Sequence, residues 1–309
     1  MTSRSGLSGL DWIAADWGTS NLRVWAMPAR GTTPLAEAQS GEGMGTLDPT
    51  GFEAALLRLV GNWLGDETVP VIACGMVGSR QGWAEAPYRA VPCAPVVPGR
   101  LTQVRPNDKR IDVRIVPGLK QESPADVMRG EETQVAGFLA QRPQFDGVLC
   151  LPGTHSKWVR VSAGEIVSFQ TFLTGELFGL IAERSVLRFT VAGDGWEDGA
   201  FLEAVSAALS RPEKALSRLF TLRAEGLLNA LPAGVARARL SGTLIGAELA
   251  GARPYWLGQN VALIGAEKLS RAYAAALSAQ GAQAERADAG RMTLAGLTAA
   301  RAGSREAVL

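Results

Sequence analysis

The run WIAADWGTSNLRVW, Trp12 to Trp25, brings Asp16 to the end of an apolar stretch and follows it with Gly18, Thr19 and Ser20. Those residue types suit a bound phosphate. Backbone N–H groups of a tight glycine turn, with neighbouring Thr and Ser hydroxyls, can cradle phosphate oxygens. A carboxylate at the strand end can hold Mg2+, which tends to keep several of its waters. A second turn of the same style, Gly153-Thr154-His155, comes 135 residues later, again between an apolar strand and an outgoing one, in GVLCLPGTHSKWVRV. Gly-Thr is a common turn dipeptide, and either turn alone is more often an ordinary hairpin. Their matching context favours a duplicated domain, and two such turns facing each other across a cleft would clamp the phosphates of a nucleotide. The P-loop pattern G-x-x-x-x-G-K-[ST], a dinucleotide-binding glycine fingerprint and H-E-x-x-H are absent from the sequence.

Further polar residues lie close to these turns. His155 is the single histidine; a lone histidine is more often structural, yet inside a phosphate-facing turn it can hydrogen-bond or exchange a proton. Lys157 alternates to the side of His155 along the outgoing strand and could reach a transferred phosphate or an acidic substrate. A solvated lysine is the plainer alternative. The same alternation projects Arg23 beside Asp16, although exposed strand arginines are common.

Hydrophobic periodicity supplies the elements that must position these groups. The first turn joins a hairpin, PLAEAQS adds a third strand, GFEAALLRLVGNWLG has helical spacing, and VPVIACGMVG reads as a short buried strand ending in glycines. Residues 85–110, rich in proline and polar side chains, read as an irregular insertion. The strand IDVRIVPG and a helix starting near RGEETQVAGFLAQ follow, and Pro143 and Gly147 bracket a hinge. Beyond it come the second hairpin, the strand EIVSFQTF and a helix from about Thr174. A helical region over 197–230 and the helix ARLSGTLIGAELAG lead to the strand VALIGA, the helix EKLSRAYAAALSAQ, the strand QAERAD and a last helix. The expectation is an α/β protein of two domains, residues 1–144 and 145–309.

With 309 residues, 47% of them hydrophobic, the chain can bury large cores without disulfide staples. Thirty-one Lys and Arg balance 30 Asp and Glu, so no net field attracts nucleic acid or an anionic membrane. Cys74, Cys93 and Cys150 are widely spaced and form no C-x-x-C, which argues for reduced thiols rather than a disulfide framework or thiolate zinc site. No run approaches the length of a membrane span, and MTSRSGLSGLDW lacks the apolar core of a signal peptide. A cytoplasmic protein without nucleic-acid or membrane partners is expected; its oligomeric state stays open, a homodimer included.

In order along the chain, DWGTSNLR, GMVGSRQGW, VMRGEETQ, LPGTHSKWV and FLTGELF resemble the 2-dehydro-3-deoxygalactonokinases of the actin, Hsp70 and sugar-kinase superfamily. The resemblance runs from about Ile13 to near Arg301, and MRGEETQ followed by PGTHSKW is its most specific part. It implies two ribonuclease-H-like, actin-like ATPase domains with an interdomain nucleotide cleft, closing over Mg2+, ATP and a small-molecule sugar acid. The implied reaction is phosphorylation of 2-dehydro-3-deoxy-D-galactonate at its 6-hydroxyl in galactonate catabolism. Residues 190–235 depart most from the family's motifs.

The resemblance also implies an acid at the start of the helix before the second turn, Glu131 or Glu132, that activates the acceptor hydroxyl. Adjacent helical residues point about 100° apart, so one of them faces the cleft. Glu131, directly after Gly130, is preferred, with His155 as the next candidate; the plainer reading is that both glutamates favour the helix N-terminus. A sugar-acid pocket needs cations or N–H groups, and Gly75, Ser79, Arg80 and Trp83 stand at a strand end where α/β sheets present sites. Trp83 and Tyr88 could wall the sugar, although aromatics more often fill cores. Lys157 and Glu176 are further substrate candidates, and Thr174 in TGE also reads as a helix N-cap. Gly265 and Ala266 in LIGAEKL would let adenine and ribose approach the backbone, or simply allow strand–helix packing. Two alternatives stand beside this reading: the gluconate epimer as acceptor, differing at one stereocentre, and a nucleotide-switched binding or filament protein of the same superfamily. The segment 75–92, on the expected acceptor side, favours the kinase.

Overall fold

The computed structural model describes residues 6–302; the other terminal residues of the expected domains, including the first five of the stretch read for a signal peptide, lie outside the described residues. The first hairpin forms as its alternation requires, from β1 (Trp12–Trp17) and β2 (Leu22–Met27), and β3 (Ala36–Ser40) adds to its edge. α1 (Phe52–Val60) lays Phe52, Ala55, Leu56 and Val60, one helical face, on the sheet. β4 (Val69–Gly75) follows, parallel to β1 and almost wholly buried, as a strand covered on both faces must be. After it come β5 (Arg89–Ala90), β6 (Thr102–Gln103), β7 (Ile111–Ile115), β8 (Leu119–Glu122), β9 (Ala125–Met128) and α2 (Glu131–Gln141).

The second half contains β10 (Gly147–Leu151), β11 (Ser156–Ser162), β12 (Glu165–Phe172), α3 (Thr174–Arg184), α4 (Asp198–Ser210), α5 (Ala215–Leu228) and α6 (Ala233–Gly251). α7 (Arg253–Trp256), β13 (Val261–Gly265), α8 (Glu267–Ser278), β14 (Ala284–Asp288) and α9 (Ala289–Ala302) complete it. The two large sheets have the orders β3-β2-β1-β4-β7-β6 and β12-β11-β10-β13-β14. In each, the first strand pairs antiparallel to the second and parallel to the fourth. This is the ribonuclease-H-like order occurring twice, and it accounts for the repeated turn. Among the described residues, no helix is long and apolar enough to cross a membrane.

Two local expectations change. Residues 85–110 are not wholly irregular, since they hold β5 and β6, and a hairpin, β8–β9, intervenes before α2 and joins β5 in a separate three-stranded sheet. Its strands LKQE and ADVM bury only Leu119 and Met128, too little for a period-two pattern.

The chain forms two compact units. The first comprises the chain up to Phe145, Ala163–Val167 and the segment from Ala289 on; the second comprises Asp146–Ser162 and Ser168–Asp288. These differ from a single cut at 144/145 because α9 packs along α2. A Cβ on Gly137 would overlap the Met292 carbonyl, and one on Gly296 would overlap that of Thr133, so these helices meet backbone to backbone. Leu297 and Ala300 of α9 then cover Trp12, Ala14 and Ile72 on the sheet face away from α1.

Gly137→Ala should therefore lower the unfolding free energy by about 2–3 kcal/mol, because backbone has to shift to admit the methyl group. Gly179→Ala in α3, where an added Cβ meets nothing within 4 Å, should be neutral or stabilising by up to about 1 kcal/mol. Urea denaturation of the two variants makes the comparison, and equal effects would contradict close packing of α2 on α9.

Candidate functional site

Strand pairing sets Asp16 between Arg23 on β2 and Cys74 on β4. Arg23 Nη2 lies 3.3 Å from Asp16 Oδ2, as the alternation predicts, and Cys74 Sγ lies 3.9 Å from Oδ1. The Asp16 side chain is 20% exposed. Burial pushes its pKa above the usual carboxylate range, Arg23 and the Cys74 thiol pull it back, and the nearby Glu131 raises it again.

Glu131 reaches this neighbourhood through two glycines. β4 ends at Gly75 with φ 89°, where a Cβ would come within 2.6 Å of the Trp17 carbonyl. α2 is preceded by Gly130 with φ 110°, whose Cβ position lies 3.4 Å from the Gly75 Cα. Backbone without side chains can thus start α2 directly against the end of β4. The Arg129 N–H donates to Glu131 Oε2 at 3.0 Å. Glu132 turns into the interior, where its carboxylate accepts the Gly130 N–H at 2.7 Å and the Thr133 hydroxyl at 3.0 Å. Burial, with a further contribution from Glu131, pushes the Glu132 pKa up to about 7. The two glutamates diverge as neighbouring helical residues must, with Glu131 on the Asp16 side.

The carbonyls of Gly18 and Thr19 accept N–H bonds from Met44 and Gly45, which ties the first turn back onto a short 3-10 turn. Thr19 and Ser20 are exposed, and among the described residues their N–H groups meet no backbone acceptor. Ser79 is buried, its hydroxyl without a partner among the described residues, and Arg80 is exposed. Trp83 packs edge-on against Trp17, with ring centroids 6.2 Å apart, at the margin of the first core. Tyr88 lies under the Arg129 guanidinium, 4.2 Å away, and Arg129 Nη2 donates to the Ala86 carbonyl at 2.8 Å. Arg129 was not singled out in the sequence, although VMRGEETQ contains it.

In the second unit the turn Gly153-Thr154-His155 is overlaid by the start of α3. The Glu176 N–H donates to the Thr154 carbonyl at 2.9 Å, and a Cβ on Gly175 would overlap the Gly153 carbonyl. His155 Nε2 lies 2.6 Å from Glu176 Oε2. Among the described residues, the N–H groups of Gly153, Thr154 and His155 meet no backbone acceptor. β11 begins at Ser156, so His155 belongs to the turn and is exposed while Lys157 is 5% exposed; the expected shared side is not observed. Thr174 is not the N-cap of α3 but its first helical residue, after Leu173, and its hydroxyl hydrogen-bonds the buried Glu248. Gly265 ends β13 beside the turn, where an added Cβ would lie 2.8 Å from Ser270 Oγ and 3.4 Å from the Pro152 carbonyl; exposed Ala266 precedes α8. Among the described residues, no group of three or more His, Cys, Asp or Glu could hold a metal by itself.

A family profile described as 2-keto-3-deoxy-galactonokinase matches residues 16–300. The chain belongs to the 2-keto-3-deoxy-galactonokinase family. It is 43% identical over 296 residues to a protein of Rhizobium meliloti (strain 1021) named "Probable 2-dehydro-3-deoxygalactonokinase DgoK1", covering 94% of this chain and 96% of that one. A 2-dehydro-3-deoxygalactonokinase of Escherichia coli (strain K12) is 36% identical over 274 residues, covering 87% and 90%. A solved structure assigned as a 2-dehydro-3-deoxygalactonokinase protein from Sinorhizobium meliloti superposes with a TM-score of 0.85 at 43% identity, covering 94% and 97%.

For this member of the 2-keto-3-deoxy-galactonokinase family, burial of Glu132 makes stability depend on pH. An unfolded glutamate titrates near 4.5, and Glu132 in the fold near 7. A raised folded-state pKa contributes stability that is fully present below about 4.5 and lost as pH rises through about 7. Glu132→Gln is neutral at every pH, so relative to the parent it should gain stability between pH 5 and pH 8, by up to about 3 kcal/mol. Urea denaturation at both pH values in EDTA measures this, and a pH-independent difference would mean that Glu132 does not titrate in that range.

Proposed function

We propose that the chain catalyses ATP-dependent phosphorylation of 2-dehydro-3-deoxy-D-galactonate to its 6-phosphate, a step of galactonate catabolism in the cytoplasm, with Mg2+ as the metal. The observation that carries the mechanism is the neighbouring pair Asp16 and Glu131, one at the end of β1 and the other at the start of α2. Phosphoryl transfer depends on positioning and charge stabilisation more than on a strong nucleophile.

Glu131, oriented by the Arg129 N–H, accepts the proton of the sugar's 6-hydroxyl as the bond to phosphorus forms. Asp16 fits a magnesium site, because a largely buried carboxylate repelled by Glu131 has Arg23 as its nearby cation and still presents a fifth of its surface. One carboxylate with phosphate oxygens and waters is a usual Mg2+ environment. The metal supplies charge neutralisation on the phosphates when bound.

The N–H groups of Thr19 and Ser20 in the first unit, and of Gly153, Thr154 and His155 in the second, suit phosphate oxygens. Gly265 and Ala266 are the proposed adenosine contacts. Gly75, Ser79 and Arg80 remain the proposed sugar-acid contacts, of which the Ser79 hydroxyl is buried without a partner among the described residues and would have to turn outward to bond the substrate, and His155 and Glu176 act as a linked pair. Trp83 and Lys157, packed inward, are given structural roles.

ADP release should rise sharply when 2-dehydro-3-deoxygalactonate is added to enzyme and Mg-ATP, and more than with the gluconate epimer. Asp16→Asn should remove about 3–4 kcal/mol of transition-state stabilisation with the fold intact, so near-normal turnover at saturating Mg2+ and ATP would rule out that role. Glu131→Gln should lower kcat by about 10²–10⁴-fold with both ligands still bound, and Glu132→Gln by far less. An exchange of these two outcomes would move the base to Glu132; silence in both would move it to His155, tested by His155→Gln and the pH dependence of kcat.

A further inference from the structure

Among the described residues two glutamates are buried, and Glu248 on α6 is the one far in sequence from the acid pair. Its carboxylate collects hydrogen bonds from three other elements. Trp158 Nε1 of β11 donates to Oε1 at 2.8 Å, and the Tyr273 hydroxyl of α8 donates to Oε2 at 2.7 Å. The Thr174 hydroxyl at the start of α3 and the Ser156 hydroxyl of β11 also bond to it, and Ser156 Oγ lies 3.0 Å from the Tyr273 oxygen. A carboxylate has about four lone-pair sites and no donor when ionised, so this set of donors matches it. Glu248 is itself held firmly, since Gly242 and Gly246 press α6 against the carbonyls of Phe201 and Val205 on α4.

The anchored residues flank the second turn. Ser156 directly follows His155, and Thr174 opens the helix whose next residues, Gly175 and Glu176, lie on Gly153 and Thr154. An apolar side chain at 248 would leave the buried Trp158, Tyr273, Thr174 and Ser156 donors without their acceptor, and buried polar groups are costly unless bonded. What the carboxylate adds is direction: its bonds fix where the exit strand and the start of α3 stand relative to each other.

We propose that Glu248, acting through Tyr273, Ser156 and Thr174, is a positioning residue for the turn Gly153-Thr154-His155 and thereby sets the affinity for the phosphates of ATP. This rests on the reading of that turn as a phosphate cradle. Tyr273→Phe removes the hydroxyl link while keeping the ring, and Glu248→Gln keeps the shape while putting two donors where the carboxylate only accepts.

Both variants should fold, as checked by circular dichroism and melting, and raise KM for ATP about fivefold to tenfold, the effect of roughly one lost hydrogen bond. KM for the sugar acid should change by less than about twofold, since a general loosening of the fold would raise both. Folded variants with both KM values unchanged, or raised together, would overturn the proposal. Should Glu248→Gln fail to fold, Tyr273→Phe decides alone. Thr154→Ala, measured in parallel, separates the two levels: if it raises KM for ATP while the other variants do not, the cradle stands and the positioning role falls. If Thr154→Ala is also silent, the hydroxyl takes no part, and a folded Thr154→Pro, which removes one of the cradle's N–H groups, decides: unchanged KM for ATP there ends the cradle reading and the positioning role with it.

Discussion

Where the end of β4 meets the start of α2, the backbones of Gly75 and Gly130 come together, both at positive φ and without a Cβ between them. A side chain at Gly75 would press on the Trp17 carbonyl, and L-residues in the left-handed region cost about 1–2 kcal/mol each. Displacing α2 by the thickness of a methyl group would carry Glu131 away from Asp16 and open the interior that holds Glu132. The chemistry proposed for the first unit therefore depends on a contact that involves no functional group. Hydrogen bonds at the helix start complete it, with each glutamate accepting a different N–H, from Arg129 and from Gly130.

The second unit repeats the sheet order and solves the same positioning problem with other means. Its turn is backed by α3 rather than by a 3-10 turn, and a buried network centred on Glu248 fastens the flanking segments. Two residues before Gly153 stands Leu151, buried, where the first turn has Asp16 two residues before Gly18. Basic residues occupy comparable places on the return strands, with Arg23 opposite Asp16 and Lys157 opposite Leu151. Strand order is thus shared while the acid is confined to one copy. The proposed roles of the turns account for such asymmetry, because a carboxylate placed to attract a cation would repel phosphate oxygens if it stood at both turns.

The succession of strands and helices was legible where strands such as β1, β2, β4 and β10 are apolar at period two or throughout, which few other structures tolerate. Asp16, both turns and the Arg23 pairing followed from that. The hairpin β8–β9 did not, because LKQE and ADVM bury one residue each. Alternation does not relate His155 to Lys157 because the strand begins only at Ser156, a boundary the sequence does not mark. Glu248 gave no local signal: it sits in an apolar-rich helix, and Trp158 and Tyr273 are 90 and 25 residues away. The docking of α9 onto α2 was hidden likewise, since backbone contact between glycines far apart in the chain has no periodicity to read.

Three acids crowd the start of α2 and the strand beside it, an arrangement that mutual repulsion would oppose if all were charged. Burial resolves this. Glu132, enclosed and repelled by Glu131, holds its proton up to about pH 7, so over most of the acidic range it adds no charge to the pair in front of it. It still fixes the helix start, since its carboxyl bonds Gly130 and Thr133. Asp16 is pushed the same way by burial, with Arg23 at 3.3 Å and the Cys74 thiol opposing that shift. The same desolvation thus acts on both residues, and Arg23 beside Asp16 offsets part of it there, which makes Asp16 the better suited of the two to the proposed metal role.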